Sequence, residues 1–434
     1  MSQSPVHPDR SFPRLHPRPA KGWLNDPNGI HYADGRWQVF FQYNPASARH
    51  EWVHWGHVSS PDLLRWEQHP IALAPQTGAP DEYGCWTGVA VIEQGVPTLV
   101  YSGVRDGWGH SQVMLAPREP DGGWRQSGHV SAPMPPGGSF PVVRDPFVFE
   151  LGGKRWGIQA ASTETGEPAV LLYDASDLAS WTYHGILLSA EDPVAAALPP
   201  VNAWECPQLV RLGDDWVLIG SAWQHGNPQN VVYLIGSMRL DESTGLPRFT
   251  PRASGVLDEG PSLYAPQAVQ AGGADGGPER VLLWGWAREL VGEDVRARTE
   301  AERETAGWAG TLTHPWELVV DGDRVIAVPA RELTALRGEP ADPAELPDQA
   351  ELVVSGVGAA ELRLGAAGEV GQVVWRRRLS GEQARVLIDA SLIEVFPEGR
   401  APSTHRAYPA EGESYRLVAE PGVHAQAWTL RVPG

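Results

Sequence analysis

An all-β fold, a five-bladed β-propeller followed by a C-terminal β-sandwich, is predicted by three observations. Runs rich in β-branched and aromatic residues recur down the chain. Pro27, Pro146, Pro207 and Pro266 mark corresponding places in successive units spaced by roughly 60 residues. Helical signals are few. The runs 37–43 (WQVFFQY), 96–103 (VPTLVYSG), 156–160 (WGIQA), 216–220 (WVLIG) and 281–286 (VLLWGW) read as strands. Most follow a proline-bearing motif by about 10–20 residues, with a polar or glycine turn between. In the second unit, 85–91 (CWTGVAV) takes the place of the proline motif. Five such units suit blades of four short strands around a central channel.

Beyond the propeller, 330–337 reads as a short helical turn and 338–343 (GEPADP) as a linker. Strand patterns then return at 372–375, 385–389, 392–396 and 427–432. Their alternation predicts a sandwich. The expected division is a propeller over 1–318, a linker over 319–343 and a sandwich over 344–434. The sandwich holds no motif-like pair of carboxylates and is expected to support rather than catalyse.

Composition narrows the function. The 434 residues allow a large core and more than one domain. Gly (48) and Pro (40) are spread along the chain, as strands joined by turns require. Trp is abundant at 19, and its flat apolar face with one N–H donor suits core packing or stacking on sugar rings. The formal net charge of −19 argues against nucleic acid, whose phosphates need Lys and Arg, and against an anionic membrane surface. Cys85 and Cys206 are the two cysteines, too few for a disulfide framework. His50, His54 and His57 are interleaved with Trp52, Trp55 and Gly56, which does not suggest a metal-bearing helix, so no metal and no cofactor are expected. The opening residues lack a basic stretch followed by an apolar one, which leaves a cytoplasmic location as the expectation. Oligomeric state is open.

Three short signatures place one carboxylate each one or two residues before a proline: 23–29 (WLNDPNG), 144–146 (RDP) and 204–207 (WECP). Each alone has a structural explanation. Asn, Asp, Pro and Gly at 25–29 make a good turn, and Asp145 beside Arg144 fits a salt-bridged loop. Glu205 lies between Trp204 and Cys206, where an unpaired carboxylate is costly. If the units form a ring, Asp26, Asp145 and Glu205 meet in one pocket, and converging carboxylates suggest sugar chemistry.

With these motifs in order, the chain resembles glycoside hydrolase family 32, the β-fructofuranosidases. The blocks 41–45 (FQYNP), 55–63 (WGHVSSPDL) and 389–396 (DASLIEVF) are also similar to family blocks. The resemblance implies a retaining mechanism with Asp26 as nucleophile, Glu205 as general acid/base and Asp145 as transition-state stabiliser. It further implies that Asn25, Gln42, Trp52, Thr87, Arg144, Tyr264 and Trp286 line a fructose subsite, with Trp23 and Trp86 as sugar-facing walls. Two departures stand out. Trp86-Thr87 replaces Phe or Tyr followed by Ser, and Trp316 stands where the family usually has Arg. The expected substrate is a terminal β-fructofuranoside, sucrose first. A short-fructan exo-hydrolase and a fructosyltransferase share the same carboxylates, and a silent sugar-binding propeller is the alternative of another class. Sucrose and sucrose 6-phosphate are not separated by the sequence.

Overall fold

In the computed structural model, which describes residues 7–106, 110–137, 140–271, 279–289 and 297–433, the predicted runs pair as antiparallel sheets of four strands. Blade I is built from Gly22–Ala33, Arg36–Asn44, His54–Ser60 and Glu67–Leu73. Blade II uses Gly84–Glu93, Val96–Val104, Ser111–Pro117 and Val130–Ala132. Blade III uses Val142–Leu151, Lys154–Ser162, Pro168–Asp174 and Thr182–Ser189. Blade IV uses Ala203–Leu212, Asp215–Gln224, Asn227–Leu240 and Pro247–Val256. Blade V uses Leu263–Ala271, Arg280–Ala287, Trp316–Asp321 and Arg324–Pro329. The first strand of each blade packs beside those of its neighbours around the channel, so these strands are buried on both faces and lose the in–out alternation of an outer strand.

The ring is closed by residues 308–312. Trp308 and Ala309 pair in parallel with Gly22 and Trp23 of blade I, while Thr311 and Leu312 pair with Ala287 and Trp286 of blade V. Gly310 between them cannot carry a side chain: it has φ +70° and a Cβ there would lie 1.8 Å from the Leu24 carbonyl oxygen. The back of the Asp26 strand is therefore in direct contact with the closing segment.

The expected propeller boundary at 318 is corrected by this arrangement. It falls within a hairpin, because Asp321-Gly322-Asp323 forms the turn between the last two strands of blade V, with Gly322 at φ +61°. Nor is 319–343 a linker. After Pro329 it forms a 3₁₀ turn over Arg331–Leu336 and then an edge strand, Arg337–Ala341, that pairs with Val423–Leu430 of the sandwich. Helix Glu300–Ala306, with a Thr299/Glu302 capping box, was not foreseen.

The C-terminal sandwich is organised by one long strand, Gln349–Ala366. Its first half pairs with Ala384–Asp389 and Val423–Leu430, its second half with Gln372–Ser380 and Glu413–Ala419. The strand passes from one sheet to the other near Gly356, at φ +105°, where a Cβ would meet the Gly422 carbonyl oxygen at 2.2 Å. Leu352, Val354, Leu362, Leu364, Trp375, Ile388, Val395 and Tyr415 fill the space between the sheets.

A buried charged cluster joins the two domains. His16, ahead of blade I, bonds through Nδ1 to Asp389 at 2.7 Å and through Nε2 to Glu394 at 3.0 Å. Glu394 also accepts from Trp316 Nε1 at 2.6 Å, so Trp316 is tied into the seam. The His314 ring lies against His16, tilted by 34° with centroids 3.7 Å apart. Both His16 nitrogens already face carboxylates, which makes the cluster an ion-pair seam.

Candidate active site

The innermost strands are irregular at one shared place. Pairing with the second strand of each blade skips residues between Leu24 and Pro27, Trp86 and Gly88, Arg144 and Phe147, Glu205 and Gln208, and Tyr264 and Gln267. Each skip is a β-bulge, which frees a residue from the ladder and re-aims its side chain. Proline fits the bulge in four blades because no ladder N–H is needed there. Asp145, Cys206 and Ala265 take left-handed φ values of 62°, 51° and 44°. Such non-glycine strain costs on the order of 1–3 kcal/mol per residue and persists where surrounding structure enforces it. Backbone bonds supply that enforcement: Asp145 N–H donates to Ser102 Oγ, Ala265 N–H to Ser221 Oγ, and Cys206 N–H to Asp145 Oδ2, all at 2.9 Å.

The bulges surround one cavity of about 640 Å³. Asp26 is nearly buried in it, with 8% exposure. Its Oδ2 accepts from Thr87 Oγ1 at 2.5 Å and from Gln42 Nε2 at 3.1 Å, with the Cys206 thiol at 3.7 Å. Its Oδ1 has one side-chain donor among the described residues, Asn25 Nδ2 at 3.1 Å. Oδ2 is thus occupied while Oδ1 keeps a lone pair for an incoming electrophile. Burial, opposed by the Thr87 hydrogen bond and reinforced by the Glu205 charge, raises the Asp26 pKa to about 6.

Glu205 is held from both sides. Arg144 Nε and Nη2 donate to Oε1 at 2.8 and 2.5 Å, and Tyr264 Oη donates to Oε2 at 2.5 Å. Arg144 itself lies over the Trp223 ring, 5.3 Å from its centroid. Burial and the Glu205 charge push the Tyr264 phenol well up, so its O–H remains a donor. Asp145 accepts the Cys206 N–H on Oδ2 and accepts nothing from the described residues on Oδ1. Burial raises its pKa to about 7; Arg144 opposes this, while the Glu205 and Asp26 charges add to it. Burial and the same carboxylates push the Cys206 thiol well up, which makes it a neutral S–H between Asp26 Oδ2 and Asp145 Oδ2, 3.7 Å from each.

Of the residues expected at a sugar site, Trp23, Asn25, Gln42, Trp86, Thr87, Arg144, Tyr264 and Trp286 line this cavity with the three carboxylates. Trp52 does not. It is 63% exposed and lines a different hollow. Its backbone is left-handed at φ +48°, which turns the side chain outward, and His50 enters the cavity instead. The His50 ring meets Trp23 and Trp86 edge-on, with centroids 6.0 and 5.7 Å away. Burial lowers its pKa to about 4, so the imidazole is neutral, and Nε2 is 3.4 Å from Gln42 Oε1. Because that oxygen is an acceptor, Nε2 carries the proton. Asn25 Nδ2 donates to the same oxygen at 2.9 Å, and together they aim the Gln42 amide N–H at Asp26.

His50, Cys206, Trp223, His225 and Pro228 are lining residues that the sequence reading did not assign. Trp223 was detectable. It pairs with Ala203 one hairpin after the Trp-Glu-Cys-Pro motif, so strand register alone brings it to the same mouth. A larger hollow, about 980 Å³, opens among the later residues of the same inner strands, including Ile30, Val89, Phe147 and Leu209. No comparable convergence of buried carboxylates occurs there among the described residues, so volume does not locate the chemistry.

Comparison with known proteins agrees with this geometry. Residues 16–329 match the glycosyl hydrolases family 32 N-terminal domain. The chain is 34% identical to a sucrose-6-phosphate hydrolase of Klebsiella pneumoniae, over 98% of this chain and 94% of that one. It is 30% identical to a raffinose invertase of Escherichia coli, over 95% and 92%. Among solved structures, the Bombyx mori GH32 β-fructofuranosidase BmSUC1 superposes with a TM-score of 0.80 at 26% identity, over 98% of this chain and 95% of that one; a mutant of it was solved in complex with sucrose. The matched segment begins at the His16 seam, runs through all five bulges and ends with the last strand of blade V; with a five-bladed propeller, a sandwich and three carboxylates at one mouth, the chain belongs to glycoside hydrolase family 32.

Proposed function

We propose that this β-fructofuranosidase hydrolyses sucrose with retention, Asp26 acting as nucleophile, Glu205 as general acid/base and Asp145 as a hydroxyl-binding stabiliser. The observation that carries the reading is the asymmetry of Asp26 in the cavity it shares with Glu205: Oδ2 is tied to both Thr87 and Gln42, whereas Oδ1 has a single side-chain donor, Asn25. In the first step Asp26 Oδ1 forms a bond to the anomeric carbon of fructose as the bond to the glycosidic oxygen breaks. Glu205 gives that oxygen its proton, and glucose leaves. In the second step water attacks the anomeric carbon, its proton passes to Glu205, and the Asp26 ester bond breaks to release fructose. Asp145 Oδ1, free of other donors among the described residues, accepts from fructose hydroxyls, and that grip strengthens as positive charge grows on the ring.

Sucrose rather than its 6-phosphate is favoured by the charge of the cavity wall. Among the described lining residues Arg144 is the one Arg or Lys, and Glu205 already engages it. A phosphate needs an uncommitted cation, whereas a neutral disaccharide needs stacking faces and hydroxyl partners. The relatives named sucrose-6-phosphate hydrolase make the comparison worth measuring. Purified protein with sucrose, sucrose 6-phosphate or 1-kestose is expected to release glucose from sucrose with the highest kcat/KM. A preference for the phosphate by more than about tenfold (~1.4 kcal/mol) would reverse the substrate assignment. Absence of fructose release from every member of the panel would remove the hydrolytic reading.

A further inference from the structure

We propose that a second hollow, beside the catalytic cavity, binds the distal units of a fructo-oligosaccharide whose terminal fructose occupies that cavity. The hollow has a volume of about 560 Å³, and Trp52, His54, Glu82, Tyr83 and Arg105 are among the residues that line it. Trp52 is 63% and Tyr83 49% exposed, two of the large apolar side chains the fold leaves in solvent. Trp52 is presented at the cost of a left-handed backbone, φ +48°. The loop is pinned in that state. Val53 bridges to Gly84, Cys85 N–H donates to the Val53 carbonyl at 2.8 Å, and Glu51 N–H to the Arg49 carbonyl at 2.9 Å.

The chemistry of the wall selects the ligand. A sugar ring offers an apolar C–H face and a rim of neutral hydroxyls. Two exposed aromatic rings suit the face. Arg105 and Glu82 line the same hollow, yet neither side chain is paired with any described residue, so a donor and an acceptor remain unspent with no net charge. His54 Nδ1 lies 2.5 Å from the Trp52 carbonyl and so carries the proton, which leaves Nε2 as an acceptor. Two apolar faces, a donor and an acceptor serve a neutral polyol.

Position selects the length. The loop that turns Trp52 outward sends His50 into the catalytic cavity, and the segment that carries Tyr83 sends Trp86 there. The two hollows therefore share the wall formed by 50–53 and 83–86. A disaccharide is accommodated by the first alone. A longer chain that leaves it across this wall reaches the Trp52–Tyr83 pair. The ligand class rests on the fructosidase reading; the site itself rests on the exposed pair and the unspent polar groups.

Binding read in an Asp26→Asn background separates the two claims, because it needs no turnover. Nystose is expected to bind the Asp26→Asn protein more tightly than the Asp26→Asn/Trp52→Ala/Tyr83→Ala protein by roughly five- to tenfold, while sucrose affinity changes less than about twofold. Arg105→Ala, a surface change that leaves the aromatic pair in place, is expected to give a smaller loss with the same selectivity. In the active protein, Trp52→Ala is expected to lower kcat/KM for nystose and leave that for sucrose within about twofold. Equal losses for sucrose and nystose, or no loss for either, would overturn the site. Selective nystose binding by a chain that releases no fructose would instead overturn the catalytic reading and leave this one standing.

Discussion

Two clusters of buried carboxylates among the described residues are treated in opposite ways. At the domain seam Asp389 accepts from the N–H groups of Arg14 and Leu15 at 2.9 and 2.7 Å, from His16 at 2.7 Å and from Gln349 at 3.0 Å. Glu394 accepts from His16, Trp316 and the His314 N–H. Burial works against both charges, but the His16 bonds and these other donors outweigh it and hold both carboxyls below their ordinary range. His16 is correspondingly raised to about 9, its bonds to Asp389 and Glu394 overcoming its own burial. In the channel mouth, Asp26 and Asp145 are also buried, and each keeps one oxygen short of donors. Their pKa values rise to about 6 and about 7. Saturation of a buried charge makes a clamp; under-saturation leaves a lone pair for chemistry and stores cost in the folded state.

The largest test of that contrast is Asp26→Asn. Loss of the attacking oxygen is expected to lower kcat by about 10⁴-fold or more. The same change is expected to stabilise the protein at pH 7. A carboxyl whose pKa is higher in the folded state than the ordinary 3.8 costs folding free energy once it ionises, so removal of the charge recovers up to about 3 kcal/mol above pH 6 and nothing below pH 3.8. Denaturant titration at pH 7 and kcat on sucrose give the two readings. An Asp26→Asn protein less stable than the parent would break the comparison at the catalytic end.

His16→Asn probes the other end. Removing one partner from a buried ion-paired cluster costs about 3–5 kcal/mol. Because the folded pKa of His16 is raised, its contribution is fully present below pH ~6.5 and is lost as pH rises through about 9. The stability gap between parent and variant is therefore expected to be widest below about pH 6.5, to narrow as pH rises from there to about 9, and to level off above it. The kcat of the folded variant is expected to change far less than that of Asp26→Asn. A gap that widens in alkali would show that His16 is not the charged member of the seam.

How much of this was legible in the sequence follows from what each residue needs. The propeller and the trio were legible because a carboxylate close to a proline in a strand-rich unit is a local pattern, and the bulge that uses it is local too. Trp52 and His50 were not. The 44–53 loop has no periodicity, and its residues point inward or outward according to a left-handed φ at Trp52 that no flanking glycine announces. The blade V hairpin was readable and was missed: Asp321-Gly322 between two apolar runs is a hairpin signal, yet the expected propeller ended at Leu318, inside the strand that leads into it. The Thr299-x-x-Glu302 capping box was likewise present and unread. The seam was beyond reach, because His16 and Asp389 are 373 residues apart and only folding brings them within 2.7 Å.

His50→Ala tests the smaller claim that a residue missed in the sequence helps saturate one side of the catalytic carboxylate. Without Nε2–H on its oxygen, the Gln42 amide loses one of the two donors that aim it at Asp26. The expected loss is about five- to tenfold in kcat/KM for sucrose, about the value of one hydrogen bond. His50→Gln, which restores a donor, is expected to recover part of it. An unchanged kcat/KM in the alanine variant would show that Asn25 alone orients the amide.

The finest adjustment of the contrast is Thr87. Its hydroxyl, 2.5 Å from Asp26 Oδ2, is the strongest influence that opposes the effect of burial on that carboxyl. Thr87→Val keeps the shape and removes the donor, so the Asp26 pKa moves further up from about 6, as the loss of a hydrogen bond to the charged form requires. Since Asp26 attacks as a carboxylate, activity falls where it is protonated. The acid limb of kcat/KM is therefore expected to move toward higher pH in Thr87→Val, while Thr87→Ser, which retains the hydroxyl, keeps the parental limb. Asp145 titrates in the same cavity, so the limb belongs to the pair, and its displacement rather than its absolute position carries the test. A displacement toward lower pH would mean that Thr87 donates elsewhere and that the open oxygen of Asp26 is not the product of a saturated partner.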